Sequence, residues 1–230
     1  MYGVLVLWDI DQTLIQAGPT TRAAYAAAFR AVAGREMDRP WRFDGRTELA
    51  AATEVLSDHG IRPANGTLER FLDVLVVEYE SRAAELAATG RVLAGAAEAL
   101  AAVGAVANQS VLTGNLYRLA VLKMTVFGLV EHVDFRIGAY GDDAYERTDL
   151  PAFALHRVRE HLGQRIGGAE TAIVGDTARD IAAGRAIDAR TVGVTTGYTS
   201  AAQLRAAGAD VVLPDLTDTG ALLSALTRPR

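Results

Sequence analysis

Five apolar residues in a row, Val4-Leu5-Val6-Leu7-Trp8, run directly into two carboxylates one residue apart, Asp9 and Asp11. A strand with one face in water alternates apolar and polar residues, whereas an unbroken apolar run predicts a strand covered on both faces, as in a parallel sheet. Open α/β sheets place their ligands beyond the C-terminal ends of such strands, which is where the two acids stand. Two like charges this close are costly to bury unless a cation or other positive groups offset them. Mg²⁺ takes oxygen ligands and keeps several waters, so it suits such a pair.

The rest of the chain divides in two. After Gly18-Pro19-Thr20, residues 21–32, 47–59 and 68–86 carry apolar side chains at helical spacing, and no strand is expected between 18 and 88. From Gly90 onward strand and helix patterns alternate. Helices are predicted over 94–103, 116–127, 151–162, 178–185 and 220–226, and strands over 106–113, 135–139, 171–175, 190–194 and, at an edge, 211–213. This alternation predicts an α/β fold with a doubly wound parallel sheet. The helical stretch interrupts it directly after the first strand. The expected division is a core of residues 1–16 and 88–230 with an all-helical cap of residues 17–87 inserted into it.

Composition removes several classes of function. With 23 basic and 28 acidic residues the net charge is −5, and no Lys/Arg cluster offers a nucleic-acid surface. There is no cysteine, which excludes disulfides and thiolate metal sites. His59, His132, His156 and His161 are scattered without metal-ligand spacing. The N-terminal apolar run is too short for a membrane span and lacks a basic flank and cleavage site. A cytoplasmic protein with no membrane partner is expected.

Two further segments carry chemistry. Thr113-Gly114-Asn115 ends the predicted strand 106–113 and precedes a helix, placing a hydroxyl and backbone donors where a phosphate could dock. Taken alone, it reads more readily as a plain helix N-cap by Thr or Asn. The string Ile173-Val174-Gly175-Asp176-Thr177-Ala178-Arg179-Asp180 ends a buried strand in Gly-Asp and adds a second Asp at the start of a helix, so both acids can face one pocket.

Together these residues resemble the haloacid dehalogenase-like (HAD) hydrolases. Asp9-x-Asp11-x-Thr13 is similar to that superfamily's DxDx[TV] signature, Thr113-Gly114-Asn115 to its second motif, and Gly175-Asp176-x-x-x-Asp180 to its fourth. The family's third motif carries a Lys before the helix that lies between the second and fourth motifs, here the one predicted over 151–162. No Lys stands there, and Arg147 is the natural substitute. Lys123 is the rival, but counted ten residues beyond Thr113 it is expected to lie roughly 15 Å along an outgoing helix, facing solvent or the core.

The resemblance implies an Mg²⁺-dependent phosphatase acting on a small-molecule phosphate ester. Asp9 would be the nucleophile that becomes an aspartyl-phosphate, and Asp11 the general acid and then base. Thr113, Gly114 and Asn115 would hold phosphoryl oxygens. Asp9, Asp11 (through its main-chain carbonyl) and Asp176 would hold the metal, with Asp180 supporting the metal shell or orienting Arg147. Haloacid dehalogenases attack carbon and as a class lack the second Asp, so Asp11 disfavours that activity. A phosphomutase shares every motif and stays open. A non-catalytic binding protein of this fold would be expected to have lost Asp9 or Asp11. Arg46, in the loop before a cap helix, is the candidate specificity residue, with Trp41 and Phe43 beside it. A monomer or weak homodimer is expected, and phosphoglycolate, sugar phosphates, nucleotides and pathway-specific metabolites all stay open as substrates.

Overall fold

The computed structural model describes residues 4–39 and 45–227. Trp41 and Phe43 lie outside the described residues. The chain opens with β1 (Leu5–Trp8) and a two-residue strand β2 (Ile15–Gln16), then enters four helices, α1 (Thr20–Ala33), α2 (Glu48–Asp58), α3 (Thr67–Ser81) and α4 (Ala83–Thr89). The short strand β3 (Arg91–Val92) returns antiparallel to β2, so the helical insert leaves and re-enters the core through one two-stranded neck. There follow α5 (Ala96–Gly104), β4 (Asn108–Val111), α6 (Tyr117–Val126), α7 (Leu150–Leu162), β5 (Thr171–Gly175), α8 (Ala178–Ala186), β6 (Arg190–Val194), α9 (Ala201–Ala206), β7 (Val211–Leu213) and α10 (Thr219–Thr227).

The five long strands form one parallel sheet in the order β4-β1-β5-β6-β7. β1 is an interior strand, with Leu5 paired to Asn108 on one side and to Thr171 on the other. The unbroken apolar run of β1 is explained by burial on both faces. Val6 and Trp8 enter one core cluster with Leu100 of α5 and Leu222 of α10. Leu5 and Leu7 enter the opposite cluster with Ala154 of α7 and Ala183 of α8. The insert has its own core of Tyr25, Phe29, Leu56, Phe71 and Tyr79, completed by Leu116 and Leu119, which belong to the sheet-bearing part of the chain.

Three local expectations are corrected. Residues 135–139 do not form a strand. Phe135–Ile137 is a single 3₁₀ turn, and only Ala139 makes a bridge, to Leu112. The Asp134 carboxylate accepts from the Arg136 N–H and its guanidinium, a local bond that competes with the sheet ladder. The predicted helix 68–86 breaks at Arg82, whose N–H bonds back to the Tyr79 carbonyl. α9, absent from the expectation, begins on a Ser200/Gln203 capping box.

Chain order makes the C-terminal edge of β1 a switch point. β4 lies on one side of β1 and the next long strand, β5, on the other, so the crossovers diverge and leave a crevice there. Asp9, Thr113 and Asp176 all stand just beyond the ends of these three strands.

Candidate active site

Asp9 follows directly on β1, its N–H still bonded to the Val174 carbonyl of β5. Its side chain is nearly fully buried and accepts from the Arg147 guanidinium at 2.6 Å. The same guanidinium nitrogen lies 2.5 Å from Asp180 Oδ1. Arg147 therefore bridges Asp9 and Asp180, the first and last of the acidic residues. It comes from the 3₁₀ turn Arg147–Asp149 and is itself held by the carbonyls of Gly45 and Leu112.

Asp180 has two duties. Its Oδ2 accepts from the N–H and hydroxyl of Thr177, closing the capping box that starts α8, while Oδ1 faces Arg147. Gly175 is required by this packing, since a Cβ there would meet the Asp180 carboxyl carbon at 2.2 Å. Gly197, in the loop after β6, is likewise pressed on Asp176, where a Cβ would fall 1.7 Å from Oδ2. Neither acid is a surface residue on a turn.

Asp9, Asp176 and Asp180 present carboxylate oxygens that all lie within 4.8 Å of one another. Burial, with the neighbouring Asp180 and Asp11 charges, pushes Asp9 up to about 7 against the opposing pull of Arg147. Burial, with Asp9 and Asp180, pushes Asp176 up to about 9. If all three acids ionise, one guanidinium offsets only one of their charges, which is why burial and mutual repulsion hold protons on Asp9 and Asp176. A divalent cation that takes oxygen donors answers that imbalance, and Mg²⁺ fits this donor set.

On the other side of Asp9 the second motif holds itself together. Thr113 Oγ accepts from the Asn115 N–H at 3.2 Å and from its side-chain amide at 2.7 Å. This is not a helix cap: α6 starts later, at Tyr117, and its N-cap residue Leu116 makes no side-chain cap bond. The Asn115 amide also donates to Asp11 Oδ2 at 2.8 Å.

Lys123 corrects the expectation. It is buried, and its ammonium donates to Asp11 Oδ2 at 2.7 Å and Asn115 Oδ1 at 2.6 Å, 5.2 Å from the centre of the Tyr79 ring. The count along the helix misled because α6 begins only at Tyr117, which leaves about 9 Å of rise. Helical side chains also lean toward the N-terminus, and the flexible lysine stem covers the remainder. One signal was available: Leu119, Ala120, Lys123 and Met124 share one helical face, so the charge falls on the buried stripe.

Glu48 is a site residue that sequence reasoning missed. It opens α2 after the Thr47 cap, where an acid reads as ordinary first-turn chemistry. It is buried, bonded by the Tyr25 hydroxyl, and its N–H donates to the Gly114 carbonyl at 2.8 Å. Burial pushes its carboxyl up to about 7 although Tyr25 and Lys123 act to lower it. Arg46 pairs with Glu54 at 2.5 Å. Its carbonyl crowds Gly114, where a Cβ would come within 2.0 Å. Of the histidines, His59 is buried, with its ring against the Val55 carbonyl at 2.7 Å and the Asp38 N–H at 3.3 Å.

Residues 149–219 match the HAD-hydrolase-like family model. No curated protein matches the sequence. Solved structures of similar fold include a hydrolase from Pseudomonas syringae, 20% identical, covering 98% of this chain and 99% of its own, with a TM-score of 0.73. A predicted phosphatase from Clostridium acetobutylicum is 17% identical over 97% and 99% of the two chains, also at 0.73. CbbY from Rhodobacter sphaeroides, in complex with xylulose-(1,5)bisphosphate, is 18% identical over 95% and 96%, again at 0.73. The chain thus shares the fold of these structures along nearly its whole length, helical insert included, while the family match itself covers residues 149–219.

Proposed function

We propose that this protein is an Mg²⁺-dependent phosphatase that hydrolyses a small phosphomonoester through an aspartyl-phosphate on Asp9. The observation that carries the reading is the separate tethering of the two acids. Asp9 is held by Arg147 deep in the crevice, whereas Asp11 is held by Asn115 and Lys123, its side chain 35% exposed toward the opening. A nucleophile and an acid of different duty need just this separation.

In the first step an Asp9 carboxylate oxygen bonds to phosphorus, the ester P–O bond breaks, and the leaving oxygen takes the proton of Asp11. In the second, Asp11 accepts a proton from water as that water attacks phosphorus, releasing inorganic phosphate and restoring the Asp9 carboxylate. Arg147 and the Thr113-Gly114-Asn115 loop hold the phosphoryl oxygens, and Asp180 orients Arg147. Asp9, Asp176 and the Asp11 main-chain carbonyl would hold Mg²⁺, with Asp180 beside them. When bound, the ion supplies positive charge that lets an anionic phosphate approach an anionic nucleophile. Residues 17–87 serve as the cap over this crevice, and Arg46, drawn away from Glu54, as a contact to the distal part of the substrate.

The test is phosphate release from an aryl phosphate and from a metabolite panel that includes sugar bisphosphates, with and without a chelator. Mg²⁺-dependent release that stops in excess EDTA is expected. Full activity in chelator, or chloride release from a 2-chloroacid instead, would overturn the reading. Transfer of phosphate between two hydroxyls of one sugar without net release would replace hydrolase by mutase.

A further inference from the structure

The scheme above uses Arg147 as its cation and leaves Lys123 without a task. Yet Lys123 is the only lysine in a chain with 23 basic residues, all the others arginine. It is buried, although a surface position would be the ordinary place for an ammonium. Burial works against its charge, but Asp11, Tyr79 and Glu48 outweigh that and hold its pKa above the usual lysine range. The groups around it come from both parts of the chain. Asp11 and Asn115 are core residues, while Tyr79 of α3 and Glu48 of α2, with Tyr25 behind it, come from the helical insert.

The geometry explains why this position is not another arginine. One compact ammonium donates to Asp11 Oδ2 and to Asn115 Oδ1 while standing off the Tyr79 ring. A planar guanidinium has a fixed fork of donors and cannot meet these groups from a single point. Lys123 and Asn115 converge on the same oxygen of Asp11, so the carboxyl is pinned by one atom, and neither of them bonds its Oδ1.

We propose that Lys123 is a positioning residue for the leaving-group step: it fixes Asp11 through Oδ2 so that Oδ1 is presented to the ester oxygen. This rests on the phosphatase reading. Two cations then divide the site, Arg147 serving the nucleophile and Lys123 the proton donor.

The experiment is a double-mutant cycle of Lys123→Met and Asp11→Asn, measured on an alkyl phosphate, which needs protonation of its leaving group, and on an aryl phosphate, which needs it less. Lys123→Met should lower kcat for the alkyl ester by about 10² and for the aryl ester by less than about 10-fold, with KM little changed. In the Asp11→Asn background the same change should cost no more than about 3-fold. Equal losses on both esters, or full multiplicative losses in the cycle, would overturn the proposal in favour of a structural role.

Two properties of the chain keep the test open if Lys123→Met does not fold. With a single lysine, protein labelled at the lysine ζ-nitrogen gives one side-chain signal. That signal should shift and exchange faster with water in Asp11→Asn, and an unchanged signal would overturn the contact. With no cysteine in the chain, Lys123→Cys can be aminoethylated uniquely, which restores an ammonium at almost the original reach. Alkyl phosphate turnover should return with it, and failure to return in a folded, modified protein would count against positioning. If the parent protein hydrolyses neither ester, the phosphatase reading fails, while the labelled-nitrogen experiment still reports on the Lys123–Asp11 contact.

Discussion

Asp9 and Asp11 are the same residue type two positions apart, and their surroundings give them different work. Asp9 sits against Arg147 and the buried Asp180, while Asp11 faces the opening under Lys123 and Asn115. Asp9→Asn is expected to leave activity at background, because no other carboxylate can take the phosphoryl group. Asp11→Asn should keep phosphate binding and lose roughly 10²–10⁴ in kcat, with alkyl phosphates losing more than aryl phosphates. Steady-state kinetics on both ester types checks this, and equal losses would contradict an acid role. Arg147→Ala should cost every substrate about 10²–10³ in kcat, the usual worth of one preorganised charge at a developing oxyanion. Such a variant also leaves Asp9 and Asp180 facing each other without a cation. A control melting curve is therefore needed to separate catalysis from folding.

At the scale of elements, the site depends on how the loop ahead of α2 meets the loop after β4. The Glu48 N–H bonds to the Gly114 carbonyl, the Thr47 hydroxyl donates to the Tyr145 carbonyl, and the Arg46 carbonyl lies over Gly114. Gly114→Ala would drive a Cβ to within 2.0 Å of that carbonyl, so the insert loop has to move away. We expect it to raise KM and lower kcat for small and large substrates alike while the sheet stays folded. Unchanged kinetics would show that the loop contact is dispensable. Arg46→Ala acts differently. Its side chain touches Glu54 in this structure, so the fold should tolerate its loss, and only substrates long enough to reach the insert should show a lower kcat/KM. An equal effect on a small aryl phosphate would assign that loop a closure role instead.

For the whole molecule the decisive quantity is buried negative charge. Asp9, Asp176 and Glu48 are all pushed up, to about 7, about 9 and about 7, with burial the leading cause in each. Their folded values lie above those of the unfolded chain, so the folded protein holds protons that the unfolded chain has released. Stability from these groups is full below the ordinary carboxylate range and is lost as pH rises through the folded values. In chelator, Tm should fall from about pH 5 to about pH 9. Mg²⁺ should raise Tm, and by more at the alkaline end, since it binds the ionised cluster of the folded state. Thermal melts across that range, with EDTA and with Mg²⁺, test both statements. A flat profile in chelator would contradict the buried cluster, and a Mg²⁺ increment that does not grow with pH would place the ion elsewhere. No helix among the described residues is long and apolar enough to cross a membrane.

The amino-acid sequence alone determined the parts that depend on local pattern. The unbroken apolar run of β1 required two covered faces, the alternation after Gly90 required a parallel sheet, and motif order placed Asp9, Thr113 and Asp176 at strand ends. Arg147 was singled out only through the family resemblance, which implies a cation just ahead of α7 where no lysine stands. Tertiary structure decided what distance along the chain cannot show. Lys123 reaches Asp11 because α6 starts only at Tyr117 and its side chains lean back toward the second motif, which returns a residue ten positions beyond Thr113 to the site. Glu48 enters the site only because the loop ahead of α2 folds onto Gly114. The two-residue strands of the neck are too short for any period to announce, and the turn at Phe135–Ile137 follows from one carboxylate winning backbone donors from the sheet. Periodicity and motif spacing are properties of neighbours in the chain. Charge pairing in a crevice depends on which segments the packed core brings within a few ångströms.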